Sequence, residues 1–486
     1  MKNFNMRYIA RIVVEAATPL ALGTGEKSLI TDRLISRDIS GLPFIPGTSI
    51  KGVISHSILG EVDKKEAPAS WKDILGFQNE KEGLGSRLIV SSASFLGLEE
   101  TVLEGISFPD WNNEFYRAYK TLPIRDHVRI NDLGAAEKGA KFDEEIVYKG
   151  TRFVFELELI GKPDEKEIWE TILNNLNKND FRLGGGTRKG FGELKIVSIY
   201  RRDFNLIEKK DFNDYSDKSS SLKVPTVKFV KFEPVAKDID TTNYQLILKP
   251  DSFFLFGAGE GSEVADMITA KEDIVTWNGT TAKIEKDILL IPAASVKGAI
   301  AHRVAFHFNK KNGLFADLFE NQGMLVAKAL SKNYHLPKEF NSNKADDIKK
   351  LLTIYNPAVV DLFGFSVASS DKSLITLKDK TRGKTIISDI HKTSSKRKVL
   401  NHVAIDRFTG GAIDGALFSE EVATLTENDI LELKIVVSNK ATSDSIECLE
   451  MALKDIATGM LPLGGGVMRG NGCFSGEIIK NGEKLS

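Results

Sequence analysis

The chain has 486 residues, 42% of them hydrophobic and 27% charged, a composition that excludes a fibrous or largely disordered protein. The 66 Lys and Arg residues nearly balance the 67 Asp and Glu residues, which excludes non-specific coating of nucleic acid, so any nucleic-acid site must be local. Cys448 and Cys473 are the only cysteines, which excludes a disulfide framework, and we find neither a secretory signal nor a membrane-spanning run. We therefore expect a cytoplasmic protein.

The sequence repeats itself, because features of its first half recur in the same order in its second half. The matching segments are residues 22–32 with 256–266, 42–58 with 289–305, 122–147 with 399–422, and 181–196 with 461–478. This predicts two homologous domains in tandem, a first half of residues 1–208 and a second half of residues 226–486. The polar, serine-rich residues 209–225 are the predicted linker, and an insertion at about 309–355 is predicted to be helical.

Each half is predicted to run strand, helix, strands, helix, strand. The predicted strands are residues 7–20, 151–161 and 192–201 in the first half and 244–256 and 430–439 in the second. Predicted helices follow the IPGTS and IPAAS motifs, with Ser49 and Ser295 as N-caps, and amphipathic helices span 165–178 and 444–456. This order predicts an α+β fold made of two tandem ferredoxin-like domains with insertions.

Two kinds of motif could bind phosphate. Ser49, Lys51, Ser295 and Lys297 lie where a strand exit leads into a helix, whose unpaired N–H groups suit an anion. The other motif is a glycine-rich loop, which contains Gly184, Gly185, Gly186, Arg188 and Lys189 in the first half and Gly464, Gly465, Gly466 and Arg469 in the second. Neither the P-loop spacing nor the dinucleotide fingerprint is present. The alternatives are a plain strand–helix turn and a structural glycine turn.

These motifs resemble those of the RAMP superfamily of CRISPR-associated proteins. The resemblance rests on LPFIPGTSIKG (42–52) and LGGGTRKGFGELKI (183–196), and it covers essentially the whole chain twice. The segment NHVAIDRFTGGAIDGALF (401–418) resembles the thumb-bearing region of backbone subunits in type III CRISPR effector complexes. A tandem pair in one polypeptide is similar to the fused backbone subunits of type III-D systems.

The resemblance implies RRM-like domains that bind a CRISPR guide RNA through the lysines and glycine loops. It also implies β-hairpin thumbs near Leu133–Gly134 and Phe408–Gly411, with His127, His402, Arg407 and Phe408 as further RNA-binding residues. Asp32 and Asp266, each nine residues after the start of a Gly-x-Gly turn, are then the expected catalytic and metal-binding residues. The implied reaction is cleavage of complementary target RNA with Mg²⁺ or Mn²⁺.

Several departures leave alternatives open. The segment after Asp266 is longer than its first-half counterpart, so Asp266 could be displaced, and Ala293 replaces the Gly47 of the first half. A non-catalytic RNA-binding scaffold of the same complex is therefore an alternative, and a guide-RNA processing endoribonuclease is a further one. In the first two hypotheses the expected partners are guide RNA, target RNA and other subunits of a type III effector complex, with no membrane.

Overall fold

Each half of the chain builds an antiparallel sheet. The computed structural model describes residues 4–28, 31–60, 68–78, 83–128, 141–224, 228–235, 240–315, 352–353, 355–366 and 380–485. In the first half the strands are β1 (Met6–Ala16), β2 (Phe77–Gln78), β3 (Gly83–Leu84), β4 (Leu88–Val90), β5 (Ser94–Leu96), β6 (Val102–Leu103), β7 (Ile124–His127), β8 (Phe142–Glu145), β9 (Arg152–Gly161) and β10 (Leu194–Asn205). Its helices are α1 (Gly47–Leu59), α2 (Ala69–Leu75), α3 (Glu114–Ala118) and α4 (Lys166–Asn175).

The remaining elements include the longest hairpin among the described residues. The strands are β11 (Val230–Lys231), β12 (Thr241–Pro250), β13 (Lys271–Asn278), β14 (Thr281–Ile291), β15 (Gly364–Ser366), β16 (Lys380–Arg382), β17 (Thr385–Ile387), β18 (Ile390–Lys392), β19 (Ser395–Ile405), β20 (Ala412–Leu425), β21 (Leu431–Ser438), β22 (Phe474–Lys480) and β23 (Glu483–Lys484). The helices are α5 (Lys209–Ser216), α6 (Ala293–Lys311), α7 (Pro357–Phe363) and α8 (Ser443–Ala457).

The two main sheets have the same strand order. In the first, the neighbours run β11-β10-β1-β9-β5-β6, with β4 also paired to β9, and in the second they run β17-β21-β12-β22-β23. In the first sheet β1 lies between β10 and β9, the strand before α4. In the second sheet β12 lies between β22 and β21, the strand before α8, and all four strand pairs are antiparallel. This mixed α/β topology is compatible with the predicted ferredoxin-like order, and the predicted strands and amphipathic helices form with ends shifted by a few residues.

A separate apolar core lies under each sheet. Strand β1 buries Tyr8, Ala10, Ile12 and Val14, which is the alternation expected of a strand with one face on a core. Trp169 of α4 is fully buried in the same cluster, whereas the second core is centred on α6 and α8. The helices thus cover one face of each sheet.

The predicted N-caps are wrong. Helices α1 and α6 begin directly after Pro46 and Pro292, whose extended backbone places them at the N-cap position without a side-chain cap. Ser49 and Ser295 lie in the first turn, where their own N–H groups donate to the carbonyls of these prolines. Proline fits the position because it has no N–H to leave unsatisfied and its fixed φ suits the last extended residue.

The predicted linker is packed against the first half. Residues 209–216 form α5, Lys218 donates to Glu156 at 2.7 Å, and the Ser221 hydroxyl donates to Glu104 at 2.7 Å. Strand β11 then pairs with β10 of the first sheet. The boundaries at 208 and 226 stay a prediction, and most of the predicted insertion at about 309–355 lies outside the described residues.

The two halves are joined through the β13–β14 hairpin. The indole N–H of Trp277 donates to the carbonyl of Gly150 at 2.7 Å, and Val275 N–H donates to the carbonyl of Lys149 at 2.8 Å. Arg152 stacks on the Trp277 ring, 4.0 Å from its centroid. The residues that lengthen the second half after Asp266 therefore contribute an interface with the first half.

A buried charge cluster lies at the same joint. Arg125 of β7 makes a two-pronged ion pair with Glu272 of β13 at 2.7 Å, and it also donates to Asp389. His391 Nε2 lies 2.7 Å from Oε2 of the same Glu272 carboxylate. Arg125, Glu272 and Asp389 are all less than 9% exposed, so the ion pairs replace hydration that the fold removes.

Candidate functional site

A pair of antiparallel strands lies at the matching place in each half, β7–β8 in the first and β19–β20 in the second. In the second half, β19 and β20 pair over most of their length, and the tip at 406–411 is closed by Asp406, whose carboxylate accepts the N–H groups of Phe408 and Thr409. Phe408 is fully exposed at the tip, and Arg407 beside it is also exposed. In the first half, β7 and β8 form the base of a hairpin, while the predicted tip near Leu133–Gly134 lies outside the described residues.

The base of the first hairpin carries a compact polar cluster. The imidazole of His127 stacks on Phe142, with ring centroids 4.8 Å apart and an interplanar angle of 17°. Its Nε2 atom lies 2.8 Å from Oε1 of Glu144, which is buried. Lys189, from the glycine-rich loop, lies 3.8 Å from the same oxygen and 4.1 Å from the Phe142 ring centroid. The β7–β8 pair and the glycine loop are thus joined at one point.

The second hairpin repeats this cluster. His402 stacks on Phe418 with centroids 4.9 Å apart and an interplanar angle of 23°. His402 Nε2 lies 3.1 Å from Oε1 of the fully buried Glu420, and Arg469 donates to the other oxygen of that carboxylate. Arg469 also lies 5.3 Å from the Phe418 ring centroid, so it takes the place of Lys189. A histidine, an aromatic ring, a glutamate and a cation therefore recur in one arrangement.

The predicted catalytic aspartates lie beside these clusters. Asp32 is exposed, its N–H donates to the Asp143 carboxylate at 2.7 Å, and its own carboxylate accepts the Asp143 N–H at 3.3 Å. Asp266 is also exposed, and its carboxylate accepts the N–H of Ser419 at 2.7 Å and the hydroxyl at 2.9 Å. In each half the hydrogen-bond partner of the aspartate is the residue directly before the cluster glutamate, Asp143 or Ser419. Asp266 therefore keeps the place of Asp32 in the repeat, because the extra residues form β13 and β14 downstream of it.

Nearby charges and hydrogen bonds lower the pKa values of three carboxyls at these clusters, Glu144, Glu420 and Asp266. Burial raises the pKa of Glu144, but the contact with His127 and the charge of Lys189 outweigh it, and the net pKa is below the ordinary value. Burial likewise raises the pKa of Glu420, and Arg469 more than offsets it. Hydrogen bonds from Ser419 lower the pKa of Asp266. These carboxylates are thus favoured in their charged form.

The cluster glutamates and aromatic rings were missed from the sequence. The signal was present, because FDEE (142–145) and FSEE (418–421) occupy matching places in the repeated segments. Phe142 and Phe418 align, and so do Glu144 and Glu420, whereas Asp143 is replaced by Ser419. Attention to a paired Phe-x-Glu at the hairpin base would have found them.

The glycine loops are shaped by close backbone contacts. Gly184 and Gly464 have φ of +87° and +97°, and a Cβ atom would lie 2.6 Å from the carbonyl of Ala21 and 2.3 Å from that of Leu255. Gly185 and Gly465 donate their N–H groups to the same two carbonyls. Gly186 and Gly466 also have positive φ. The positive φ expected of this motif is confirmed for the outer glycines, and the chain that the loops approach is the segment after each first strand.

The first amides of α1 and α6 already have partners. Gly47 N–H donates to the Ser92 hydroxyl at 3.3 Å, and Ala293 N–H donates to the buried Asp389 carboxylate at 2.8 Å. Gly47 is required because a Cβ there would lie 2.5 Å from the Val90 carbonyl. Phosphate contacts in this region would therefore come from side chains and later amides.

The remaining predicted residues lie around the same region. Lys51 is in α1 and half-buried, Lys297 of α6 donates to the carbonyl of Phe363 at 3.4 Å, and Arg188 donates to the carbonyl of Gly383. His56 of α1 contacts Arg382 across the joint between the halves. The first half thus contacts the second half at Arg382 and Gly383.

A divalent cation would find few protein ligands at either aspartate. Within the described ranges, no group of three or more His, Cys, Asp or Glu side chains is arranged to hold a metal ion. Asp32 has Asp143 beside it, and Asp266 has the Ser419 hydroxyl. This donor set suits Mg²⁺, which commonly uses one or two carboxylates and completes its shell with water and substrate phosphate oxygens.

A family comparison agrees with the repeat. The model of the RAMP superfamily matches residues 13–195 and 248–475, which is more than half of the chain. The chain belongs to the RAMP superfamily. Each matched segment of this RAMP protein contains part of one main sheet, one glycine loop and one hairpin cluster. RAMP proteins are typically RNA-binding subunits of CRISPR-associated complexes.

A search of curated proteins found no match. Among the helices of the described residues, none is both long and apolar enough to cross a membrane.

Proposed function

We propose that this RAMP protein is a backbone subunit of a type III CRISPR effector complex, which binds a guide RNA and cleaves complementary target RNA. The observation that carries the proposal is the recurrence of an exposed aspartate beside the same His–Phe–Glu–cation cluster at the base of each hairpin. A duplicated arrangement suits a ligand whose backbone repeats, as a single-stranded RNA does.

The roles of the side chains follow from their charge and position. The aspartate carboxylates, held by hydrogen bonds from the hairpin base, would orient a cation and the target strand. Lys189 and Arg469, each anchored by a glutamate and an aromatic ring, supply positive charge for a phosphate. Phe408 at the exposed tip can stack on a base or wedge between bases.

Metal chemistry would be confined to one role. Asp32 with Asp143, and Asp266 with the Ser419 hydroxyl, are the groups that would hold a Mg²⁺ or Mn²⁺ ion. When bound, the ion supplies charge neutralisation at the phosphate under attack. The side chains would orient the target strand so that a 2′-OH lies close to the adjacent phosphorus. Such alignment accounts for much of the rate of this kind of cleavage.

A non-catalytic scaffold is the second candidate, and one observation favours it. Both aspartate carboxylates already accept hydrogen bonds from the hairpin base, which is also what a purely structural aspartate would do. A carboxylate near RNA phosphates repels them. In a scaffold, its role would therefore be the hydrogen bond to the hairpin base.

The test is target cleavage by the assembled complex. Wild-type, Asp32→Ala and Asp266→Ala complexes are incubated with end-labelled target RNA and Mg²⁺, and guide and target binding are measured in parallel. We expect each substitution to remove a different fragment while binding is retained. Glu26→Ala, at an exposed position six residues before Asp32, is the matched control and should keep both fragments.

Each alternative predicts a different result. If both alanine variants yield every wild-type fragment, the aspartates are not catalytic and the scaffold is supported. Cleavage of precursor guide RNA by the isolated protein, with no cleavage of target, would instead support a processing endoribonuclease.

A further inference from the structure

The aspartate beside each hairpin base exchanges the same two hydrogen bonds in both halves. The Asp32 N–H donates to a carboxylate oxygen of Asp143 at 2.7 Å, and the Asp143 N–H donates back to the Asp32 carboxylate at 3.3 Å. In the second half the Asp266 N–H donates to the Ser419 hydroxyl oxygen at 3.0 Å, and the Ser419 N–H donates back to the Asp266 carboxylate at 2.7 Å. The Ser419 hydroxyl therefore takes the place of a carboxylate oxygen of Asp143.

The two pairs differ in the chemistry of this second side chain. The Ser419 hydroxyl also donates to the Asp266 carboxylate at 2.9 Å, so only the remaining lone pair of a neutral oxygen can bind a cation. Asp143 accepts the Asp32 N–H through one oxygen, and among the described residues no group donates to its other oxygen. The first half thus places two carboxylates together, whereas the second half places one carboxylate beside a hydroxyl.

The residue on the opposite strand differs in the same direction. Asp126 of β7 lies opposite Asp143 of β8, and Asn401 of β19 lies opposite Ser419 of β20. Residues directly opposite each other in an antiparallel pair have side chains on the same face. The Asp126 carboxylate is already paired, because Lys141 lies 2.8 Å from it. Asp143 is therefore the added carboxylate that a further cation could use.

The other cation near this place in the first half also has an acidic partner. Arg33 stands where the second half has Met267, and its guanidinium lies 3.6 Å from the Glu144 carboxylate and 5.1 Å from the Phe142 ring centroid. Carboxylate oxygens suit Mg²⁺ and Mn²⁺, and the number of charged ligands tunes the affinity of a site for such hard cations. Replacing a hydroxyl by a carboxylate should therefore strengthen binding.

We propose that the two halves hold a divalent cation with different affinities, and that Asp143 makes the site at Asp32 about tenfold tighter than the site at Asp266. The use of this cation in cleavage rests on the proposed function, whereas the difference in affinity does not. When Mg²⁺ or Mn²⁺ is scarce, the site at Asp32 would be filled first. The cation concentration would thus decide whether one half or both halves are loaded.

The test measures Mn²⁺ binding to the full-length protein without RNA, by the loss of the electron paramagnetic resonance signal of free Mn²⁺. In wild type we expect one Mn²⁺ to bind about tenfold more tightly than the next. Asp143→Ser should weaken this tight site to the affinity of the second site, and Ser419→Asp should create a second tight site. Asp164→Ser, which removes an exposed carboxylate just before α4, is the matched control and should change neither affinity.

Three results would overturn the proposal: only weak sites in wild type, an unchanged tight site in Asp143→Ser, or no second tight site in Ser419→Asp. Each substitution introduces the residue that the other half has at this place, so both variants should fold, and their unfolding temperatures check this. If one variant does not fold, the reciprocal variant decides. Tight Mn²⁺ binding that depends on Asp143, together with an Asp32→Ala complex that still yields every target fragment, would refute the proposed function but support the difference in affinity.

The assembled complex gives a second readout. The fragment assigned to Asp32 should appear at about tenfold lower Mn²⁺ concentration than the fragment assigned to Asp266. In a Ser419→Asp complex the two midpoints should move together. Equal midpoints in the wild-type complex would refute the predicted order of filling.

Discussion

Replacing Arg125 by alanine should destabilise the joint between the halves strongly. Burial alone would raise the pKa of Glu272, but the charge of Arg125, aided by His391, lowers it from 4.5 to about 2. At about 1.4 kcal/mol per pKa unit, this corresponds to about 3 kcal/mol of favourable interaction with the ionised carboxylate. Removing one partner of a buried ion pair typically costs about 3–5 kcal/mol, and we expect a cost in that range.

The effect should also depend on pH, and its sign follows from the pKa direction. A carboxyl with a lowered folded-state pKa contributes stability above its unfolded pKa and loses that contribution as the pH falls through the folded pKa. In Arg125→Ala, burial dominates and Glu272 can take up a proton. The free-energy difference between wild type and variant should therefore shrink as the pH falls from about 5 towards about 2.

The assay is urea unfolding of both proteins at a series of pH values, followed by tryptophan fluorescence, since Trp277 lies at the joint. Arg201→Ala is the control, because Arg201 pairs with the partly exposed Glu170 and should cost about 1 kcal/mol or less. A cost for Arg125→Ala below about 1 kcal/mol at neutral pH, or one independent of pH, would refute the reasoning.

Other substitutions test the loops, the hairpin tip and the cluster glutamate. Gly464→Ala should cost about 2 kcal/mol or more in thermal unfolding, because φ is +97° and the new Cβ would lie 2.3 Å from a carbonyl oxygen, whereas Gly465→Ala, with 3.6 Å of space, should be mild. Equal costs would contradict this. Phe408→Ala should leave the unfolding temperature unchanged, because the ring is fully exposed. It should weaken RNA binding about tenfold in a filter-binding assay, since the exposed ring is free to stack on a base. Unaltered binding would argue against a role for the hairpin tip. Glu420→Gln should slow cleavage at the Asp266 site about tenfold by releasing His402 and Arg469, while the fragment assigned to Asp32 persists; equal loss of both fragments would indicate general unfolding.

The internal repeat made much of the fold predictable. Segments such as 151–161 and 444–456 have strong periodicity, and they form β9 and α8 as expected. The N-caps were wrong because serine is a good cap in general, whereas here Pro46 and Pro292 precede the helices and take that position. The local sequence pattern thus predicts the presence of a helix or strand better than it predicts the residue at which that element begins.

The site was only partly predictable. The matched spacing singles out Asp32 and Asp266, and the structure brings each beside a hairpin base, while their catalytic role stays a prediction. The contacts of Arg125 could not be read from the sequence, because its partners Glu272 and Asp389 lie 147 and 264 residues away in the chain. Such long-range charge pairing depends on how the halves pack, which neither periodicity nor motif spacing records.

The matching positions Arg188 and Met468 illustrate what gene fusion makes possible. In an assembly of identical copies, one loop sequence must suit every neighbour it meets, so it can only be a compromise. Here the first loop always meets the same α6, and Arg188 reaches the Gly383 carbonyl, while Met468 is left on an open surface. Covalent linkage fixes the order and the equal number of the two units, and each can therefore diverge to fit a single, permanent neighbour.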